Sequence, residues 1–69
     1  MSRRANVITT VGWFCAENKI SIEKAVDFTL EVLQDAGQTD VDTDDEAEVA
    51  QEKIEIKYSL DDIYLRVKK

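Results

Sequence analysis

Six carboxylic acids crowd into nine residues of this chain: Asp40, Asp42, Asp44, Asp45, Glu46 and Glu48, with no basic side chain among them. The rest of the chain is balanced, nine acids against nine bases, so the whole formal charge of −6 resides in that one segment. Acids in such a run can serve as a solvated connector that keeps a small protein dispersed. They can also act as a docking surface. Carboxylates spaced along a loop imitate the regular negative charge of a nucleic-acid backbone and are drawn to a basic cleft. A small protein filling such a cleft would inhibit or regulate the larger protein that owns it.

Cation binding is a third chemistry. Asp40-Val41-Asp42-Thr43-Asp44 has the D-x-D-x-D opening of an EF-hand calcium loop. Asp45 then stands where that loop needs glycine, and Gln51 where it needs a bidentate glutamate. The spacing therefore predicts weak calcium binding at most, and no dedicated metal ligand or cofactor is expected.

Catalytic chemistry has little to work with. The chain has no histidine, which removes Ser-His and Cys-His activation of a nucleophile. Cys15 is the only cysteine; no cation adjoins it in sequence to lower its pKa, and it is expected to be a small core residue. Two glycines, Gly12 and Gly37, cannot build a phosphate-cradling loop. A pair of carboxylates acting on a substrate would need a cleft between them, for which 69 residues leave little room. No enzymatic activity is expected.

Aromatic and basic residues supply further contact candidates. Trp, Tyr and Arg are the types enriched at binding hot spots, and here these are Trp13, Tyr64 and Arg66. Direct nucleic-acid binding is disfavoured by the sign of the net charge. With no run of 18 apolar residues, no membrane span is expected. The start of the chain lacks a signal-peptide core, and the lone thiol suits a reducing compartment, so a cytoplasmic location is expected.

These side chains must be held by a small scaffold, read as one domain over residues 1–69 with an acidic connector at 38–48. A chain of this size buries roughly 60% of its unfolded surface, and its core supplies only ~3–5 kcal/mol. Without a disulfide or a zinc site, association is the remaining way to stabilise it.

A helix is predicted over 22–36. Ser21 is its N-cap, Gly37 its stop, and Ile22, Ala25, Val26, Leu30, Leu33 and Ala36 form a 3.6-residue stripe, with Phe28 and Val32 widening it. Residues 4–18 are read as a second helix, antiparallel to the first, with Val7, Ile8, Val11, Phe14 and Cys15 on one face and Trp13 away from it. A strand there is the alternative. Thr43 and Glu46 form a capping box for a short helix over about 44–52. From Lys53 onward Ile54, Ile56, Tyr58 and Leu60 alternate with polar residues, as do Ile63, Leu65 and Val67, which predicts a β-hairpin turning at Asp61-Asp62. A helix beginning at Ser59 and bearing Leu60, Ile63, Tyr64 and Val67 is its rival.

The predicted fold class is therefore α+β: two antiparallel helices, an acidic loop or short helix, then a C-terminal β-hairpin. Strand–helix–hairpin is the alternative. The predicted function is a non-enzymatic protein–protein interaction module, an inhibitor or regulator of the kind encoded by phages and other mobile elements. It would offer Asp40, Asp42, Asp44, Asp45, Glu46 and Glu48, with Trp13, Tyr64 and Arg66, to the basic surface of a nuclease or other nucleic-acid-binding protein. The alternative is a homodimeric structural module, built through the hairpin edge or the Trp13 face.

Overall fold

The computed structural model describes residues 2–68 and contains three α-helices: α1 (Arg3–Glu17), α2 (Ile22–Asp35) and α3 (Glu46–Val67). No strand occurs among the described residues. The protein is all-α, and both the α+β class and the strand–helix–hairpin alternative are overturned.

α1 and α2 begin and end on local signals. Ser2 caps α1, its Oγ accepting from the Ala5 N–H at 3.1 Å. Ser21 caps α2 by accepting from Lys24 at 3.4 Å. Each then stops with a left-handed residue that turns the chain back on the last carbonyls. Lys19, at φ 57°, lets Ile20 donate to the Cys15 carbonyl at 2.9 Å. Gly37, at φ 66°, lets Gln38 donate to the Leu33 carbonyl at 2.9 Å. The four-residue link this creates between α1 and α2 forces them to lie antiparallel.

α3 replaces both the short acidic helix and the hairpin. Its N-cap is Asp45, which accepts from the N–H groups of Ala47 and Glu48 at 3.1 and 3.2 Å. Thr43 is not the cap. The helix then runs unbroken for 22 residues, because no glycine or proline follows Gly37 in the sequence and most of its residues are good helix formers. The Asp61-Asp62 turn does not form, since two tight-turn residues at positive φ would be costly without glycine or asparagine. Asp62 instead pairs with Arg66 one helical turn on, Oδ2 to Nε at 3.1 Å.

The alternation that mimicked a hairpin is two helical stripes laid over one another. Ile56, Leu60 and Ile63 are buried, with Val49, Tyr64 and Val67 packed beside them. Ile54, Tyr58 and Leu65, which a hairpin would have put on the same face, are 62%, 83% and 65% exposed.

Each helix packs on the other two. α1 and α3 run parallel, as Arg4 meets Glu52 near their starts and Tyr64 meets Ile20 near their ends. α2 runs against both, with Asp27 Oδ1 3.0 Å from Lys53 Nζ. The core consists of Ile8 and Cys15 from α1, Ala25, Val26, Leu30 and Leu33 from α2, and Ile56, Leu60 and Ile63 from α3. Thr29 is fully buried and satisfied, its hydroxyl donating to the Ala25 carbonyl at 2.6 Å.

Gly12 fixes how closely α1 and α3 approach. A Cβ at that position would sit 2.8 Å from both Leu60 Cδ2 and Ile63 Cδ1. The apolar face predicted for α1 holds at Val7, Ile8, Val11 and Cys15 and fails at Phe14. Gly12 is buried, while Phe14 is 56% exposed at its margin.

Candidate functional site

The topology brings the acidic segment and the basic start of α1, Arg3 and Arg4, to the same end. The start of α1, the end of α2, the connection over 36–45 and the start of α3 all lie there, and this connection carries the acids.

The connection is ordered by its own side chains. Asp42 Oδ1 accepts from the Asp44 N–H at 2.9 Å, and the Asp42 carbonyl accepts from Asp45 at 3.0 Å. Asp45 then caps α3, as described above. Asp42 and Asp45 thus shape the loop, and Glu46 and Glu48 project from the first turn of α3, where the helix dipole favours negative charge. Asp40, Asp42, Asp44, Asp45, Glu46 and Glu48 are all exposed. The ion pairs among the described residues involve none of them. The nearest guanidinium with an assigned partner, that of Arg4, is held by Glu52 and by Glu55 Oε2 at 3.8 Å.

Glu52 is the one charged residue among the described residues that is buried. Its Oε1 has no aligned hydrogen bond, so its compensation is the charge of the Arg4 Nη2 beside it. The pair ties the start of α1 to α3 directly below the acidic segment. No three histidine, cysteine or acidic side chains among the described residues converge in a metal-binding arrangement. Within the D-x-D-x-D stretch the Asp42 carboxylate is engaged in an Asx turn.

The other predicted contact residues lie elsewhere. Trp13 is on α1, outside the core and 38% exposed. Tyr64 and Arg66 are near the end of α3, at the opposite end from the acids. A hairpin would have set Tyr64 outward beside Arg66; on a helix the two point in nearly opposite directions. Tyr64 is half-buried, and its hydroxyl donates to the Ile20 carbonyl at 2.6 Å. Burial pushes its pKa up, with the nearby Cys15 adding to the effect. Cys15 is fully buried, and burial pushes its thiol up as well.

No protein-family model, curated protein or solved structure matches the chain.

Among the described residues no helix is long and apolar enough to cross a membrane. What the acidic end can do is electrostatic: six exposed carboxylates, two of which also shape the loop and cap α3, present a field to any basic surface that approaches. Ile54, Tyr58 and Leu65 were missed as surface residues. The signal that finds them is the heptad spacing Ala47, Gln51, Ile54, Tyr58, Asp61, Leu65, which is present in the sequence beside the alternation.

Proposed function

We propose that this chain is a non-catalytic interaction module whose acidic end docks on a basic, nucleic-acid-binding surface of a larger protein. Occupying that surface excludes nucleic acid from it, so the chain acts as an inhibitor or regulator. One observation carries the reading: the carboxylates of 40–48 are exposed together at one end of the bundle, and no cation among the described residues pairs with them.

The test uses the variant D40N/D42N/D44N/D45N. Asparagine accepts the same cap and turn hydrogen bonds as aspartate, so charge is removed while the loop keeps its shape. Immobilised wild-type chain is expected to retain basic nucleic-acid-binding proteins that heparin displaces, and the variant to lose them. Equal retention by the variant refutes the electrostatic dock.

A further inference from the structure

α3 carries a second stripe that nothing in the fold covers. Ala47, Gln51, Ile54, Tyr58, Asp61 and Leu65 are all exposed. Their spacing, alternately four and three residues, is that of the seam between two paired helices. Isolated surface hydrophobes need no explanation, but three large ones along a single line of one helix do.

We propose that this stripe is covered by the same stripe of a second copy running antiparallel, which makes the protein a two-fold dimer. The stripe is self-complementary in that direction. Centred at Ile56, the pairing sets Ile54 against Tyr58 of the second copy, Gln51 against Asp61, and Ala47 against Leu65. Apolar meets apolar, polar meets polar, and a small residue faces a large one. The Gln51 amide is a donor for the Asp61 carboxylate, and the Tyr58 hydroxyl reaches the wet edge of the seam. Two-fold symmetry repeats every layer.

Charge selects the direction. A parallel pair would oppose Asp61 to Asp61 and bring both acidic ends side by side. The antiparallel pair holds those ends about one helix length apart, roughly 30 Å, well beyond the screening length of physiological salt. It also opposes the helix dipoles favourably, and the Asp62 that then flanks Glu48 of the other copy already has Arg66 as its counter-charge. Glu55 and Lys57 meet their own counterparts near the dyad. Glu55 already has the Arg4 guanidinium beside it, and Lys57 is on an exposed flank where solvent screens it.

A seam built from so few side chains falls at the small end of specific interfaces. Sedimentation equilibrium of the full chain is expected to show the mass doubling as concentration rises through the micromolar range. The variant I54E/L65E, which alters only exposed positions, is expected to stay monomeric with an unchanged helical circular dichroism spectrum. Direction is read by mixing two single variants, Gln51→Cys and Asp61→Cys, under mild oxidation. The antiparallel seam joins one to the other, whereas a parallel seam joins each to itself. A wild-type monomer at every concentration, a dimer indifferent to I54E/L65E, or crosslinks only within each variant would each overturn the proposal. The acidic dock stands or falls separately, through D40N/D42N/D44N/D45N.

Discussion

The hydroxyl of Tyr64 donates to the backbone carbonyl of Ile20 across 2.6 Å, joining the last turn of α3 to the link between α1 and α2. The two residues are 44 positions apart, so this single bond closes the end of the bundle opposite the acids. Tyr64→Phe keeps the ring and removes the donor. It is expected to lower stability by about 1 kcal/mol, read from urea denaturation.

Gly12 offers a sharper packing test. In most helix interiors glycine to alanine is stabilising by about 1 kcal/mol. Here the added methyl meets Leu60 and Ile63 at 2.8 Å in a core where Leu60 is fully buried. Overpacking of this kind costs about 1–3 kcal/mol, so Gly12→Ala is expected to be destabilising, with the sign read by the shift in denaturation midpoint.

Lys19 holds a left-handed backbone at φ 57°, a conformation that costs a side-chain-bearing residue about 1 kcal/mol. Gly37 performs the same turn at φ 66° without that strain. Lys19→Gly is expected to raise the melting temperature by a few degrees, whereas Gly37→Lys is expected to lower it.

The Arg4–Glu52 pair predicts an asymmetry. Arg4→Ala leaves a largely buried carboxylate without its counter-charge and is expected to cost roughly 2 kcal/mol, below the range for fully buried pairs because Arg4 is part-solvated. Glu52→Met removes the charge that needed compensation and is expected to be neutral or stabilising. Denaturation of the two variants in parallel checks this.

Alkaline pH should weaken the fold from two directions. Burial raises the pKa of Cys15, and burial with the nearby Cys15 raises that of Tyr64. Both groups therefore ionise more readily in the unfolded chain, and stability is full below the ordinary thiol range, about pH 8.5. It falls as pH climbs through the raised folded values. Melting temperature against pH is expected to be flatter for Cys15→Ala than for wild type.

Much of this molecule is written in short stretches of chain. Ser2 and Ser21 as caps, Gly37 as a stop, the stripe of α2 and the exposure of the acids all follow from forces that act within one or two helical turns, or from the cost of burying unpaired charge. The C-terminal third was different. Ile54, Ile56, Tyr58, Leu60, Ile63, Leu65 and Val67 satisfy a period of two and also two interleaved helical stripes, so hydrophobic spacing alone left strand and helix both open. Packing resolved it. Gly12, far away in sequence, gives Leu60 and Ile63 room to approach α1, and Asp27 meets Lys53 from α2, so one stripe is buried and the other left outside. Caps and turns are local because their partners are neighbours along the chain. A face becomes core only when another element lies across from it, and which element that is depends on the whole arrangement of helices.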